Sequence, residues 1–438
     1  MENVHPVPSE SLQQLDPTSN WNPVRLFGVG IMKEPEVLKQ FYDQLHTPLL
    51  EAGIDGVKVD VQSGVSAAGD GAGGGPHISK LYTDAMEDSV GKRFQANNGA
   101  LNAINCMCHS TENIYRYYST AVARASEDFF PSKPETWTTH LANVAYNNLM
   151  IGEVCLGDWD MFHSNHPVAK LHAAARAVGG SPIYVSDQPG NHDADVLKSL
   201  VLPDGSILRG SNPGRPTRDC LFVDVCKDQR SALKIFNSNV GNGSGIIGAF
   251  HIQGAAWNFQ RRQNEIHDTH PAPITAIVRP KDAEHLRHQP GPFVAYRYQS
   301  GRLDFLPTAD SKLDIELQHQ DFELVTIVPI QLSTSSGTST KEDLLFAPIG
   351  LKDMMNSGGA VTSTGILQDH HVTVSSRGPG TFLAFTNQPP TQVYIQNHND
   401  EPLSLAFDFD TDSGALTFDL PEESAPKTPH QVHLEWAN

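Results

Sequence analysis

Hydrophobic positions in the first half of the chain alternate between helical and extended patterns. Residues 35–52 place five apolar side chains on one helical stripe, and Gly53 stands where a helix would end. The run GIDGVKVD (53–60) is rich in β-branched residues, which is typical of a buried parallel strand. Further helices are predicted over 77–94, 135–151, 166–180 and 193–202, and further strands over 102–108, 120–125, 182–187 and immediately before 157. This alternation, with repeats of roughly 30 residues, predicts a parallel sheet that is either open or closed into a barrel.

From about residue 218 the pattern changes to short apolar runs that are separated by turn residues. Examples are DFELVTIVPIQL (321–332) and ALTFDL (415–420), and such runs predict an antiparallel β-sandwich. The Ser- and Thr-rich stretch 333–342 predicts a surface loop or linker. We therefore predict an α/β plus β fold with three segments: a disordered or leftover tail over 1–23, an α/β domain over 24–215 and a β-sandwich domain over 216–438.

Composition and charge exclude several classes of partner. The 438 residues include 31 Lys and Arg against 50 Asp and Glu, a formal net charge of −19, which repels nucleic-acid phosphates and anionic membrane surfaces. No run reaches the ~18 apolar residues of a membrane span, and the first residues lack the features of a secretory signal. The five cysteines include no CxxC pair, so we expect reduced thiols in a cytoplasmic protein.

Polar side chains stand at the predicted carboxyl ends of the parallel strands, where ligands bind in such sheets. Asp60 ends the strand over 53–60, and Lys58 precedes it on the same face. Asp128 follows the strand over 120–125, four residues after Arg124. The later strands end at Asp158, Asp160 and Asp187. Any one carboxylate alone has a structural alternative as a turn or helix cap, but the whole set favours acid/base or glycosyl chemistry.

Neither a metal nor an organic cofactor is expected. His163 and His166 form an HxxH pair with no second pair at ligand spacing. Cys106 is expected to be a packed thiol and not a nucleophile, because no His and Asp arrangement can be identified beside it.

Several long motifs carry a resemblance to a known family. GIDGVKVD (53–60), NCMCHSTE (105–112), ARASEDFFP (123–131) and the run from GDWDMF to GNHD (157–193) resemble the raffinose synthase and seed imbibition protein group. That group belongs to glycoside hydrolase family 36, together with alkaline α-galactosidases. The resemblance is dense from about 27 to 257 and thin beyond. It implies a (β/α)8 TIM barrel, of which the chain would hold about the last five βα units, followed by a β-domain.

The resemblance also implies the catalytic roles. It makes Asp60 the nucleophile of a retaining α-galactosyl transfer and Lys58 a hydrogen-bond donor to the galactose hydroxyls. Asp128 would be the general acid/base, and Arg124 would hold this carboxylate or the sugar. Relatives usually carry two aspartates where this chain has Glu127 followed by Asp128; we favour Asp128 for its residue type and its spacing from Arg124.

Further substrate contacts are implied for the DWD motif and for one cysteine. Asp158 and Asp160 would accept hydrogen bonds from sugar hydroxyls, Trp159 would offer a stacking surface, and Cys106 would lie near the galactose 2-hydroxyl. The two catalytic carboxyl groups are expected to lie about 5–5.5 Å apart. With water as the acceptor, the protein would be an α-galactosidase. With sucrose as the acceptor of a galactosyl group from galactinol, it would be a raffinose-type galactosyltransferase. Both alternatives stay open.

The resemblance places the strand over 53–60 fourth in the barrel, and the preceding residues leave no room for three βα units of roughly 30 residues each. We therefore expect a truncated chain that exposes a sheet edge and self-associates. The alternative function is that of a catalytically incompetent carbohydrate-binding relative. An unrelated α/β enzyme such as a phosphatase or isomerase is a weaker alternative, since no phosphate-binding loop supports it.

Overall fold

The computed structural model describes residues 2–4, 14, 29–67, 69, 71–96, 99–333, 343–396, 402–422 and 428–437. Apart from Glu2–Val4, Gln14 and Ser333, the predicted tail over 1–23 and the predicted loop over 333–342 lie outside these residues. The chain divides into two compact units. The first unit comprises Met1–Ala125 and Glu153–Asp158, and the second comprises Ser126–Gly152 and Trp159–Asn438. The domain boundary expected at 215 and 216 stays a prediction.

The first unit contains an antiparallel strand pair, a parallel sheet and four helices within the described residues. Its strands are β1 (Glu2–Val4), β2 (Val29–Ile31), β3 (Val57–Val59), β4 (Ala103–Asn105), β5 (Val122–Arg124) and β6 (Leu156–Asp158). Its helices are α1 (Pro35–Glu51), α2 (Gly64–Ala67), α3 (Gly75–Arg93) and α4 (Thr111–Ile114). β1 pairs with β2, and β3, β4, β5 and β6 form a parallel sheet in that order. The parallel sheet predicted from the first half of the chain is confirmed for these four strands.

The two long helices of the first unit, α1 and α3, pack against each other. Arg93 Nη1 donates to Asp43 Oδ1 at 2.7 Å, and His46 Nδ1 lies 3.0 Å from Ser89 Oγ. Of the apolar stripe predicted on α1, Leu38 is fully buried. The other four members keep between 37% and 50% of their surface exposed: Val37, Phe41, Leu45 and Leu49. The stripe therefore contributes less to the core than its spacing predicts.

The second unit begins with helices and continues with antiparallel strands. Its α-helices are α5 (Pro134–Trp137), α6 (Thr139–Asn147), α7 (Ala169–Gly179) and α8 (Ala194–Lys198). Its 3₁₀ turns include Arg218–Cys220, Pro280–Asp282, Glu284–Leu286 and Ser357–Ala360, and the turn Ile151–Glu153 falls at the boundary between the two units. Gly180 caps the C-terminus of α7 with a φ of 79°, the left-handed conformation that glycine adopts without a steric penalty.

Two predicted elements of this region differ from the structure. The prediction of a strand over 182–187 was wrong, because the segment forms a single parallel bridge between Phe162 and Val185. Pro182 lacks the N–H that a ladder needs at the start of this segment. The helix predicted over 135–151 is divided into α5 and α6 and ends at Asn147. The parallel sheet accordingly has four strands among the described residues, where five were predicted.

The remaining strands are all paired in antiparallel ladders. They are β7 (Arg215–Pro216), β8 (Leu233–Ser238), β9 (Gly245–Phe250), β10 (Ala255–Asn258), β11 (Gln263–Ile266), β12 (Ile274–Val278), β13 (Phe293–Arg297), β14 (Leu303–Leu306), β15 (Leu313–Leu317), β16 (Phe322–Pro329), β17 (Gln331–Ser333), β18 (Leu344–Leu351), β19 (Val361–Thr364), β20 (His371–Ser376), β21 (Gly380–Thr386), β22 (Gln392–Gln396), β23 (Pro402–Ser404), β24 (Phe407–Asp410), β25 (Ala415–Leu420) and β26 (His430–Glu435).

These strands form one large sheet, two hairpin-sized sheets and a pair of five-stranded sheets. The large sheet has the order β14-β13-β16-β9-β8-β7, and β10 pairs with β11 and β12 with β15. The five-stranded sheets have the orders β17-β18-β21-β25-β24 and β19-β20-β26-β22-β23. One apolar core takes residues from both five-stranded sheets, including Phe346 and Phe382 from the first and Val374 and Val432 from the second. The antiparallel β region predicted from about residue 218 is confirmed.

None of the helices in the described part of the chain combines the length and apolar character that a bilayer crossing requires.

Candidate active site

Five of the predicted site residues come together at the carboxyl end of the parallel sheet of the first unit. Lys58 lies in β3, with Asp60 directly after it; Cys106 follows β4; Arg124 ends β5 and Asp158 ends β6. The register pairs Arg124 with Asp158 and keeps the four strands aligned at this edge. Because parallel strands end on the same side of a sheet, residues distant in sequence form one row.

The backbone at the end of two of these strands adopts a strained conformation. Val61 follows Asp60 with a φ of 57°, and Met107 follows Cys106 with a φ of 44°. Left-handed backbone at non-glycine residues costs of order 1–3 kcal/mol and concentrates at functional sites. The turn at Val61 allows its own N–H to donate to Asp60 Oδ1 at 2.7 Å. The strained turn thus holds one carboxylate oxygen of Asp60 in place.

The Cys106 thiol connects Asp60 to Arg124. Burial and a hydrogen bond with the Asp60 carboxylate raise the pKa of Cys106 to about 11, although the nearby Arg124 charge acts in the opposite direction. Arg124 Nη1 lies 3.7 Å from the Cys106 sulfur. The thiol is therefore protonated at neutral pH and serves as a hydrogen-bond donor to Asp60, which agrees with its expected lack of nucleophilic character.

Arg124 and Asp158 form a buried ion pair at the far end of the row. Arg124 Nε lies 3.8 Å from Asp158 Oδ2, and their side chains are 4% and 0% exposed. His109 Nε2 also contacts the Arg124 carbonyl oxygen. In contrast, Lys58 and Asp60 are exposed at the other end of the row. The row therefore runs from an exposed carboxylate and lysine to a buried, charge-balanced pair.

The remaining predicted site residues lie in the second unit. Glu127 and Asp128 are both exposed, but Glu127 Oε2 accepts a hydrogen bond from Asn264 Nδ2 at 3.0 Å and is thereby tied to β11. Phe129, which follows, is buried. Glu127 thus has an amide donor on β11, and the choice of Asp128 over Glu127 as the acid/base stays a prediction.

Trp159 and Asp160 are almost completely buried in the second unit. Asp160 has a φ of 60°, and its Oδ2 accepts a hydrogen bond from the Phe129 N–H at 2.9 Å. Trp159 packs its indole nitrogen directly against Gly179, where a side chain would collide with it. The structure thus gives these residues packing and backbone contacts, and the sugar contacts expected of them stay predictions. Asp60 and Asp128 fall in different units, and the expected spacing of their carboxyl groups also stays a prediction.

Histidines surround Phe129 in the second unit. The rings of four histidines lie edge-on around it, with centroids 4.9–6.3 Å away: His140, His163, His166 and His172. His140 Nε2 donates to the Trp159 carbonyl and His166 Nε2 to the Pro131 carbonyl, both at 2.9 Å. Burial, together with neighbouring cationic side chains, lowers the pKa of His172 well below its usual range. Across the described residues, no group of three or more His, Cys, Asp and Glu side chains is arranged to hold a metal ion.

Sequence reasoning missed His109, His140 and Arg176. Arg176 donates to backbone carbonyls in and around the DWD motif. The available signal was a single charge within the alanine-rich run HAAARAV of α7, which is otherwise suited to complete burial. A cation at such a position requires buried acceptors, but the sequence does not identify them.

Comparison with known proteins connects the chain to one family. The family model for raffinose synthase or seed imbibition protein Sip1 matches residues 2–420. A probable galactinol–sucrose galactosyltransferase 1 of Arabidopsis thaliana is 40% identical over 426 residues, which cover 95% of this chain and 54% of that protein. Stachyose synthase of Pisum sativum is 33% identical over 380 residues, which cover 82% of this chain and 43% of that protein. The chain thus spans about half the length of the curated relatives it matches.

Among solved structures, α-galactosidase I of Mortierella vinacea gives a TM-score of 0.45 at 12% identity, covering 66% of this chain and 71% of that chain. A GH27 β-L-arabinopyranosidase of Geobacillus stearothermophilus gives a TM-score of 0.42 at 14% identity, covering 68% of this chain and 62% of that chain.

Proposed function

The chain belongs to the raffinose synthase and seed imbibition protein family, and we propose that it transfers α-galactosyl groups from galactinol to sucrose or a related sugar. Hydrolysis of α-galactosides is the same reaction with water as the acceptor. The similarity to probable galactinol–sucrose galactosyltransferases and to stachyose synthase supports this substrate class. We further propose that the four parallel strands of the first unit are part of a (β/α)8 barrel.

The observation that carries the proposal is the row of side chains at the carboxyl end of β3, β4, β5 and β6. Two donors, the Val61 N–H and the Cys106 thiol, act on the Asp60 carboxylate and fix its orientation. A nucleophile held in this way needs little reorganisation before it attacks. Lys58 is exposed on β3, two residues before Asp60, and we propose that its ammonium N–H groups donate to sugar hydroxyls.

The proposed mechanism is a double displacement with retention of configuration. An Asp60 carboxylate oxygen attacks the anomeric carbon, and the bond from that carbon to the leaving-group oxygen breaks while Asp128 gives that oxygen its proton. In the second step, Asp128 removes a proton from the acceptor hydroxyl, whose oxygen attacks the anomeric carbon and releases the Asp60 carboxylate. Both carboxyl groups return to their starting states, so no metal or redox partner enters the balance.

The Arg124 and Asp158 pair has a separate role in this scheme. Asp158 accepts from sugar hydroxyls, and Arg124 balances the charge that a buried carboxylate would otherwise carry alone. Arg124 also contacts the Cys106 sulfur and so supports the donor to Asp60.

The test is an activity assay of the purified chain with galactinol plus sucrose and, separately, with 4-nitrophenyl α-galactoside. Asp60→Asn and Asp128→Asn are expected to abolish product formation. Asp84→Asn is the matched control, because Asp84 is an exposed carboxylate on α3 that pairs with Lys80. Turnover that survives Asp60→Asn would contradict the proposed nucleophile. Galactinol binding by calorimetry without turnover would instead identify a carbohydrate-binding relative.

A further inference from the structure

Arg176 is a fully buried cation in the middle of α7, with only 1% of its surface exposed. Its neighbours on the helix are alanines, and nearly every residue of α7 is buried. Removing a guanidinium group from water is strongly unfavourable unless its N–H groups find acceptors and its charge is stabilised. The guanidinium group of Arg176 therefore needs buried acceptors close to it.

The guanidinium N–H groups are directed at the turn that carries Asp160. Nε donates to the Asp160 carbonyl at 3.0 Å, and Nη2 donates to the carbonyls of Trp159 at 2.6 Å and Met161 at 3.1 Å. Nη1 donates to the His172 carbonyl at 3.0 Å and lies 3.1 Å from His172 Nδ1. All five donors of the planar group thus have an acceptor. Three of these acceptors are successive carbonyls of one short segment.

This convergence is coupled to the backbone conformation of Asp160. Successive carbonyls of an extended chain point in alternating directions, so three of them meet at one cation only where the chain turns sharply. Asp160 provides that turn with its φ of 60°, an unfavourable conformation for a residue with a side chain. His140 Nε2 adds a further hydrogen bond to the Trp159 carbonyl. The turn is therefore held by Arg176 against its own backbone preference.

The Asp160 turn also holds the segment that carries the proposed acid/base. Asp160 Oδ2 accepts the Phe129 N–H at 2.9 Å, and Phe129 directly follows Asp128. The Phe129 ring is buried and packs edge-on against the ring of His172, 4.9 Å away, on the helix that also carries Arg176. One chain of contacts thus leads from Arg176 through Asp160 to the backbone beside Asp128.

We propose that Arg176 is a positioning residue, which holds the Asp160 turn so that the Asp160 carboxylate fixes the backbone beside Asp128 for proton transfer. The contacts stand independently of activity, but the role in proton transfer rests on the proposed function. General acid catalysis requires the acid within hydrogen-bond reach of the leaving-group oxygen, so a loose segment at Asp128 weakens this step in particular.

The first test is amide hydrogen exchange at Phe129, which needs no turnover. In Arg176→Lys the cation remains but the planar set of donors is lost, and exchange at Phe129 is expected to rise at least about tenfold, as for a lost hydrogen bond to a charged group. Lys234→Arg is the matched control, because it too exchanges one buried cation for the other. Lys234 lies in the second unit, bound to Asp282 Oδ2, Asp219 Oδ2 and the Ile277 carbonyl, and this exchange is expected to leave Phe129 unchanged. Unchanged exchange in Arg176→Lys overturns the proposal.

The second test uses the leaving group of the substrate. A 2,4-dinitrophenyl α-galactoside leaves without help from an acid, whereas galactinol needs protonation. Arg176→Lys is expected to lower kcat/KM for galactinol at least about tenfold while kcat/KM for the dinitrophenyl substrate changes much less, because kcat/KM reports the first step, in which only galactinol needs the acid. An equal loss on both substrates means a merely structural role and overturns the proposal. If the unaltered chain turns over neither substrate, the proposed function fails, while the exchange experiment still decides whether Arg176 holds the segment.

A second pair of variants covers the case in which Arg176→Lys does not fold. Asp160→Asn keeps an acceptor oxygen for the Phe129 N–H, and Asp160→Ala removes it. Exchange at Phe129 is expected to rise in Asp160→Ala and to stay low in Asp160→Asn. Equal exchange in both variants contradicts the link between the Asp160 turn and the backbone beside Asp128.

Discussion

Arg124 and Asp158 face each other across β5 and β6 as an ion pair that is almost completely removed from solvent. Removing one partner leaves a buried charge without its counter-charge, which typically costs about 3–5 kcal/mol. Asp158→Asn is therefore expected to lower the free energy of unfolding by about that amount. Urea denaturation followed by circular dichroism measures it.

The double variant Arg124→Met/Asp158→Asn is the control, since it contains no buried charge at this position. It is expected to be more stable than Asp158→Asn alone and to remain inactive, because the proposed sugar contact of Asp158 and the support that Arg124 gives to Cys106 are both lost. If the double variant is no more stable than Asp158→Asn, the unpaired charge of Arg124 is not the source of the lost stability.

The Cys106 thiol gives a pH-dependent prediction. Because burial and the Asp60 hydrogen bond raise its pKa to about 11, the reactive thiolate is scarce at neutral pH and increases as the pH rises towards 11. Alkylation of Cys106 by iodoacetamide, followed by mass spectrometry, is expected to be slow at pH 7 and to accelerate continuously up to about pH 11. In Asp60→Asn the negative charge that opposes ionisation is gone, so the same acceleration is expected at lower pH. Identical profiles for the two proteins would argue against the contact between Cys106 and Asp60.

Variants of the adjacent carboxylates Glu127 and Asp128 allow a matched comparison of activity. Glu127→Gln keeps a side-chain oxygen that can accept from Asn264, so it is expected to retain activity. Asp128→Asn removes the proposed acid/base and is expected to lower kcat by roughly 10²–10⁴-fold, the usual contribution of a general acid. Steady-state rates with galactinol and sucrose compare the two. The opposite order of activities would assign the acid/base to Glu127.

The sequence predicted part of the row at the sheet edge because a simple rule applies to it, whereas Asp187 was wrongly placed at the end of a fifth strand. Asp60, Arg124 and Asp158 end β-branched or apolar runs, and parallel strands end at one edge. The contacts that distinguish similar residues were beyond such rules. Asn264, the partner of Glu127, lies 137 positions further along the chain, and nothing local indicates that the two meet.

The partners of Arg176 could not be predicted for a different reason. They are backbone carbonyls, which every residue carries, so side-chain patterns contain no information about them. The prediction that the apolar stripe on α1 is buried failed although a side-chain pattern was present. The spacing of the stripe is correct for a buried face, but only Leu38 is buried among its members. Periodicity identifies an apolar face and does not identify what covers it.

The exposed stripe on α1 predicts self-association of the purified chain. Phe41 is 39% and Leu45 is 50% exposed, and they lie four residues apart on one helical face. Exposed apolar patches of this kind drive association between copies. The variant Phe41→Lys/Leu45→Lys is expected to sediment as a smaller species than the unaltered chain in analytical ultracentrifugation. Lys39→Ala/Lys80→Ala, which removes one exposed charge from α1 and one from α3, is the control and is expected to leave the sedimentation unchanged.

Product stereochemistry tests the retaining mechanism and both catalytic assignments together. With 4-nitrophenyl α-galactoside and sodium azide, Asp128→Gly still forms the covalent intermediate, because this leaving group departs without strong acid assistance. Azide then attacks that intermediate in place of the acceptor, and the second inversion gives α-galactosyl azide. In Asp60→Gly no covalent intermediate forms, so azide occupies the vacated space and displaces the leaving group directly, which gives β-galactosyl azide. Proton NMR of the anomeric position distinguishes the two products. Because each variant predicts a different anomer, β-azide from Asp128→Gly or α-azide from Asp60→Gly would refute the assignment of that residue.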